Sequence, residues 1–237
     1  LVEKGLALAE SGDWTMFPGS AMSYTRTYKK IEAGGKEIWG KATCQLDVSA
    51  AKCFASFWHF NSNRNMDEHI QNDGYVPNFY LDVPNSHSGL LHIVKSFPSP
   101  LQNRVFHNWQ VWGSVEIKGR PAFVIISSPL DHFHENNYLK EQALLKDTSN
   151  LIEGQSFAVQ IISVVAPNVC KFTYINRIEL GGKIPQKIIE WKTPQQLEWV
   201  RSRQEQLRRG DKEVDSEVRE AVVLRMQRAD APHRALN

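Results

Sequence analysis

The sequence predicts an α+β domain in which a curved antiparallel sheet is combined with helices kept to separate segments of the chain. Three observations predict this class. About seven segments have strand composition, glycine or proline turns separate most of them, and helical periodicity is confined to a few stretches. A chain of 237 residues with 41% hydrophobic residues can also bury a core without a disulfide or metal.

The first third of the chain predicts a helix, a hairpin and a second helix. A short amphipathic helix is expected over 2–10. Strand composition follows at 23–30 and 37–48, and the Gly34-Gly35 pair between these segments indicates a hairpin turn. Apolar residues then recur at helical spacing over 50–60.

Two local features complete this region. Ser49 directly precedes the second helix and suits its N-cap. The polar segment 61–73 is compatible with either a short helix or a loop, and the sequence leaves both open.

The remainder predicts five strands and a helical C-terminus. The strands are expected at 88–97, 105–115, 122–128, 157–165 and 170–180. A stretch of about 25 residues between the third and fourth of these is longer than most structural loops and is therefore expected to be functional or disordered. Pro185 suits the first turn of a helix that reaches about Arg209, and a polar helix is predicted over 215–227.

Composition excludes several classes of protein. The 28 basic and 26 acidic residues give a net charge of +2, which indicates neither a nucleic-acid partner nor a membrane surface. Cys44, Cys53 and Cys170 form no Cys-x-x-Cys pair, so we expect buried free thiols in a reducing compartment. There is no phosphate loop, dinucleotide fingerprint or nucleophile elbow, and no cofactor is expected. Because the first residue is Leu, we expect a piece of a longer protein with further domains.

Four segments in order resemble the START (StAR-related lipid-transfer) family. They read LDVSAAKCFASFW (46–58), PSPLQNRVFHNWQVW (98–112), FVIISSPLDHF (123–133) and CKFTYINRIELGGKIPQKIIEWKTPQQLEWVRSRQEQL (170–207). The second resembles the family's Arg-Asp-Phe strand, with Val105 where Asp is usual. The resemblance covers about residues 1–208.

The resemblance implies a helix-grip fold, in which the sheet wraps around a long C-terminal helix and encloses one lipid. Residues 1–209 would form this domain, and 210–237 a charged helical tail or linker. Residues 129–145 would be a mobile omega loop and 184–207 a lid. Both would touch a membrane transiently, which implies a cytoplasmic protein with transient membrane association.

Strand alternation supplies candidate ligand-binding residues. Matching Arg104 and Phe106 to the family's motif turns the even-numbered residues inward, including Asn108 and Gln110. A polar pair in an apolar tunnel suits head-group recognition, although the same pattern fits a solvent-facing strand. Sterol-binding members use a buried Arg at the position of Gln110, opposite an acid. Because the facing strand here offers Leu91 or His92, a phospholipid or ceramide is favoured over a sterol.

The resemblance adds further candidates of both kinds. Ser127, Tyr174 and, by a looser match, Glu68 correspond to hydrogen-bonding positions, although a strand Tyr is often a core residue and Glu68 a solvated carboxylate. The apolar candidates are Leu91, Phe106, Phe172, Ile184 and Ile188. Trp191 and Trp199 lie off the lid's apolar stripe and are expected to pack on the N-terminal helix or the tail, with insertion at a membrane interface as the alternative.

The sequence offers few candidate residues for metal binding or catalysis. His132 and His134 beside Asp131 lack a third metal ligand, so no metal is expected. A polyketide-cyclase-like enzyme would need an acid or base, for which Glu68 and His107 are the candidates. A regulatory or interaction module with a collapsed cavity is the remaining alternative.

Overall fold

The structure is a computed structural model with side chains. The residues that it describes are 2–17, 25–32, 38–74, 78–81, 87–97, 99, 101–130, 151–181, 194, 197, 199–207 and 213–234. The predicted Gly34-Gly35 turn, most of the 129–145 loop and the start of the lid helix lie outside these residues.

A nine-stranded, mainly antiparallel sheet is the framework of the protein. The strands are β1 (Thr15–Met16), β2 (Arg26–Ile31), β3 (Ile38–Leu46), β4 (Asn78–Leu81), β5 (Ser88–Lys95), β6 (Arg104–Ile117), β7 (Arg120–Pro129), β8 (Ile152–Ala166) and β9 (Val169–Glu179). Their spatial order is β1-β2-β3-β9-β8-β7-β6-β5-β4. The seven predicted strands are confirmed with small shifts at their ends. The short edge strands β1 and β4 were not predicted.

Among the described residues, five helices accompany the sheet. They are α1 (Val2–Glu10), α2 (Ala50–Trp58), α3 (Asn63–Asp73), α4 (199–207) and α5 (Glu213–Arg234). Segment 61–73, left open by the sequence, is therefore mostly helix. The polar C-terminal helix is longer than the 215–227 predicted.

The sheet curls where β7 ends. Beyond Pro129 the first residues of β8 pair in parallel with the start of β6, with Arg104 opposite Ile152 and Phe106 opposite Gly154. Strand β6 thus pairs with β7 along most of its length and with β8 at its beginning. This double pairing requires the sheet to bend strongly at that corner.

Strand alternation gives the sheet two buried faces. Helix α2 packs on the first, called the α2 face, against Cys44, Trp112 and Phe172 among others. Helix α1 packs on the second, called the α1 face, with Leu6 against a cluster that includes Ile126 and Val159. The approach of α1 is close, because a Cβ on Gly5 would lie 3.0 Å from Val159 Cγ2.

An aromatic cluster fills the space between α2 and the sheet. The fully buried Phe54 ring lies 4.9 Å from the Trp112 ring, 5.3 Å from Phe123 and 6.0 Å from Trp58, measured between centroids. The Oγ of Ser49 accepts a hydrogen bond from the Lys52 backbone N–H, which confirms the predicted N-cap. Such rings dominate core energetics because each buries a large apolar area.

Helix α3 is joined to β5 by a buried carboxylate. Asp73 accepts hydrogen bonds from Lys95 Nζ at 2.6 Å, from His69 Nδ1 at 3.3 Å and from the Ser96 backbone N–H at 3.2 Å. Burial alone would raise the pKa of Asp73, but the hydrogen bonds from His69 and Lys95 together lower it.

Helix α4 packs on the α2 face through Trp199. Its ring lies 5.5 Å from Phe57 and 5.1 Å from Tyr174. Trp199 thus packs on the α2 face, in the cluster that also includes Met226 of α5, while membrane insertion, the alternative expectation, stays a prediction. Helical spacing showed only that Trp199 lies off the main apolar stripe, and the α2 face accommodates it there. Trp191 lies outside the described residues.

Helix α5 is attached to the rest of the molecule through Met226 and Asp215 among other residues. Met226 is 5% exposed and joins the cluster under α2. Asp215 is 1% exposed, and its carboxylate oxygens accept hydrogen bonds from the Asn63 and Arg64 backbone N–H groups at 2.8 and 3.1 Å. The domain boundary at 209 stays a prediction.

The three cysteines are free and buried, as predicted. None of the described helices is long and apolar enough to cross a bilayer.

Candidate functional site

The register of the sheet brings a group of uncharged polar side chains together on the α2 face. One row of paired residues runs across five strands as Gln110, Ser127, Ala158, Asn176 and Gly40. Its neighbours on the same face contribute the rest. We call the polar members the amide patch: Asn108, Gln110, Ser127, Ser156, Gln160, Tyr174 and Asn176.

Asn108 lies at the centre of the hydrogen bonding in the amide patch. Its Nδ2 donates to Ser127 Oγ at 2.9 Å and to Ser156 Oγ at 2.6 Å. Its Oδ1 is buried and has no hydrogen-bond partner among the described residues, and the same is true of Gln160 Oε1. An unpaired buried acceptor costs about 1–3 kcal/mol, so these oxygens are suited to receive a donor from a ligand.

Tyr174 contributes a neutral hydroxyl beside α4. Burial raises its pKa to about 12, although a hydrogen bond with Asn176 acts in the opposite direction. The ring contacts Trp199 of α4, so the patch extends to this helix. At physiological pH the phenol therefore stays protonated and can donate a hydrogen bond.

The strand alternation inferred from the sequence is correct on β6. Asn108 and Gln110 are each 5% exposed, which excludes the solvent-facing interpretation of this strand. Of the predicted site residues, Asn108, Gln110, Ser127 and Tyr174 lie together in the amide patch. The strand register thus joins residues that are separated by up to 66 positions in the chain.

Three predicted apolar residues share the same face. Leu91 lies directly opposite Asn108, and Phe106 lies next along β6. A Cβ on Gly154 would lie 2.5 Å from the Phe106 ring, so Gly154 allows that ring to lie against β8. Phe172 stacks on Phe57 at 4.5 Å and belongs to the aromatic cluster under α2.

The remaining predicted site residues are not in the patch as described. Glu68 lies on α3 and accepts a hydrogen bond from Gln206 Nε2 at the end of α4. Ile184 and Ile188 lie outside the described residues. The roles of all these residues in ligand binding stay predictions.

One expected neighbour of Gln110 is wrong. The residue opposite it on β5 is Gly89, whereas Leu91 pairs with Asn108 and His92 with His107. Register cannot be counted from the sequence when the loop between two strands has no fixed geometry. No acid faces Gln110 from either paired strand, so the departure from the sterol-binding pattern stands.

His107 points away from the amide patch. It lies on the α1 face and its Nδ1 is 3.2 Å from His92 Nδ1. Since neighbouring residues of a strand face opposite sides, His107 cannot share the face of Asn108.

Sequence reasoning missed Ser156, Gln160 and Asn176. Two of the three could have been noticed in the sequence. By alternation, Ser156 and Gln160 lie on the same face of β8 as Ala158, and both are polar residues in a largely apolar strand. Without the register, nothing connected these positions with Asn108.

Among the described residues, two buried arginines lie near the patch: Arg203 of α4, over the Trp199 ring, and Arg104. Arg104 is 2% exposed at the start of β6, where its Nε donates to the Leu180 carbonyl at 3.1 Å and its guanidinium lies over the Phe97 ring. In the part of the chain that the structure describes, no cluster of His, Cys, Asp or Glu could hold a metal ion. The His132 and His134 pair lies outside that part.

Comparison of sequences finds no relatives. No protein-family model matches the chain, and no curated protein matches it.

Comparison of structures does find neighbours. Human STARD10 superposes with a TM-score of 0.60 at 14% identity, covering 88% of this chain and 83% of its own. The protein has the START fold. Human StAR-related lipid transfer protein 5 gives 0.61 at 10% identity, covering 83% of this chain and 86% of its own.

A bacterial STAR-related structure also superposes on this chain. The STAR-related lipid transfer protein of Xanthomonas axonopodis (fragment 25–204) gives a TM-score of 0.59 at 14% identity, covering 82% of this chain and 99% of that one. The helix-grip architecture implied by the sequence motifs is thereby confirmed. At these identities, the likeness concerns the fold.

Proposed function

We propose that this chain binds a single lipid between the α2 face of the sheet and helix α4, without catalysing a reaction. The observation that carries the proposal is the amide patch, a group of uncharged polar side chains on the face that α4 covers with Trp199, in which Asn108, Gln110, Ser127 and Asn176 are buried. Lipid sites combine apolar walls with a few polar groups that fix the head group. The apolar walls are supplied by Leu91 and Phe106.

The structural neighbours support this assignment. Two of them are named as lipid transfer proteins.

A polar lipid such as a phospholipid or ceramide is favoured over a sterol. A sterol presents a single hydroxyl, whereas the amide patch offers several donors and acceptors on four adjacent strands. Desolvating so many polar groups without partners would oppose sterol binding.

Two observations favour binding over catalysis. His107 lies on the opposite face of the sheet beside His92, and Glu68 is engaged with Gln206. Neither of the two acid–base candidates is therefore placed in the amide patch. Transient membrane contact through 129–145 and the C-terminal helix, a cytoplasmic location and further domains in the parent chain are also part of this proposal.

The test is retention of lipid from a cell extract. The purified chain is incubated with the extract, separated from free lipid and measured by native mass spectrometry. One bound lipid per chain is expected. A protein that emerges bare would favour a regulatory module, and a chemically altered lipid would favour an enzyme.

Two substitutions test the site itself. Gln110→Leu and Tyr174→Phe should shift the lipid profile while leaving the unfolding temperature within a few degrees of the parent. Val115→Ala, on the α1 face of β6, is the matched control. Unchanged profiles in both variants would remove these residues from the site.

A further inference from the structure

Within the proposed lipid site, the charges of the α2 face restrict the ligand. From β4 across to β3, the two sheet rows that hold Asn108 and Gln110 contain no Asp, Glu, Lys, Arg or His among the paired strand residues; the first charged residue of the Gln110 row is Lys29 on β2, opposite Gly40. Tyr174 in the next row stays protonated. A phosphate placed beside Asn108 and Gln110 would be a buried charge without a cation among the strand residues that surround it, which is strongly unfavourable.

The buried arginines Arg104 and Arg203 near this face are already engaged. Arg203 of α4 donates to Gln206 Oε1 at 2.8 Å, and its guanidinium lies over the Trp199 ring.

Arg104 lies on the same face of β6 as Phe106 and Asn108, and it is two rows of the sheet away from Asn108. Its guanidinium donates to the carbonyl oxygens of Leu180 and Gln102 and lies over Phe97. These contacts tie the start of β6 to the end of β9. We therefore assign Arg104 a structural role.

The unpaired atoms of the patch determine which hydrogen bonds the ligand must make. Both N–H groups of the Asn108 amide are directed to serine hydroxyls, at 2.9 Å and 2.6 Å. The atoms left over, Asn108 Oδ1 and Gln160 Oε1, are acceptors. Asn108 is 5% exposed, so a partner for its Oδ1 would have to come from within the site. Only a ligand that donates hydrogen bonds satisfies such atoms.

We infer that the lipid bound here has an uncharged polar end that donates hydrogen bonds through hydroxyl or amide N–H groups. This inference rests on the proposed function and narrows it. It excludes phospholipids, which carry a charged phosphate, and lipids whose polar ends only accept, such as triacylglycerols.

The experiment uses defined lipids in place of an extract. Vesicles contain phosphatidylcholine as carrier and, at equal amounts, a ceramide, a 1,2-diacylglycerol and the same diacylglycerol acetylated at its free hydroxyl. After incubation and separation, bound lipid is identified by native mass spectrometry. Ceramide and diacylglycerol should each be retained at least about tenfold over the acetylated lipid, because acetylation removes the only donor.

The outcomes separate this inference from the proposed function. Retention of phosphatidylcholine alone, or equal retention of the diacylglycerol and its acetate, would overturn the inference and leave lipid binding intact. A protein that retains none of the lipids would overturn both.

Variants test the assignment of the atoms. Asn108→Leu should lower the preference for the free hydroxyl over the acetate about fivefold to tenfold. Ser127→Ala and Ser128→Ala form a matched pair, because the two serines are adjacent on β7, 4% and 2% exposed, and face opposite sides of the sheet. Only Ser127→Ala should change the preference. An equal effect of both serine variants would contradict the site even if Asn108→Leu failed to fold.

Discussion

Asp215 fixes the start of α5 to the start of α3, and its removal should destabilise the protein measurably. The first turn of a helix has backbone N–H groups without intrahelical partners. In α3, the N–H groups of Asn63 and Arg64 donate to the Asp215 carboxylate, and that of Asn65 donates to Ser62 Oγ at 3.3 Å. Two of these three caps thus come from a residue about 150 positions away.

The magnitude follows from these contacts. Asp215→Ala removes two hydrogen bonds to a charged acceptor and a favourable charge at a helix N-terminus, for a combined loss of about 2–3 kcal/mol. In a chain of this length, each kcal/mol lowers the melting temperature by roughly 2–4 °C, so a decrease of about 4–12 °C is expected.

The assay is thermal unfolding followed by circular dichroism, with amide hydrogen exchange at Asn63 and Arg64 as the local measurement. Glu217→Ala is the matched control, because Glu217 is an exposed acidic residue on the same helix. Exchange at the two amides should accelerate in Asp215→Ala alone. If both variants melt at the same temperature and exchange alike, the contact does not hold α5 to α3.

Three further predictions concern the Asp73 contacts between α3 and β5, the buried Phe54 ring and the close approach of Gly154 to Phe106. The pKa of Asp73 is lowered in the folded protein, so its contribution to stability is complete above its unfolded pKa of about 3.9. That contribution is lost as the pH falls through the lower folded pKa. In Asp73→Asn, the free energy of unfolding should therefore depend less on pH in the acid range. Phe54→Ala should cost about 3–5 kcal/mol in denaturant unfolding, because its ring is fully buried among aromatic neighbours, and a loss below about 1 kcal/mol would contradict that packing. Gly154→Ala should cost about 1–3 kcal/mol, since its Cβ would overlap the Phe106 ring, and Phe106→Ala in the same chain should recover part of that loss.

The positions of most strands and helices could be predicted because their signals are local. Ser49 before an apolar periodic segment indicated the start of α2, and the alternation on β6 correctly turned Asn108 and Gln110 to one face. Strands β1 and β4 were not predicted, because segments of two and four residues are too short to show strand alternation.

Pairings between distant residues could not be predicted in the same way. Gly89 opposite Gln110 depends on how the loop before β6 closes, and the packing of Trp199 depends on the shape of the α2 face. Helical or strand periodicity assigns a side chain to one face of its own element, and it does not identify the element that packs there.

By itself, the sequence determined the alternation of β6, the N-cap of α2 and a polar pair within an apolar strand, since these depend on residues within one turn or one strand. Only the tertiary structure decided that Ser156 and Gln160 of β8 join Asn108, and that Asp215 caps α3. Such contacts depend on register and docking, which are set by the packing of the whole sheet and its helices and not by any single segment.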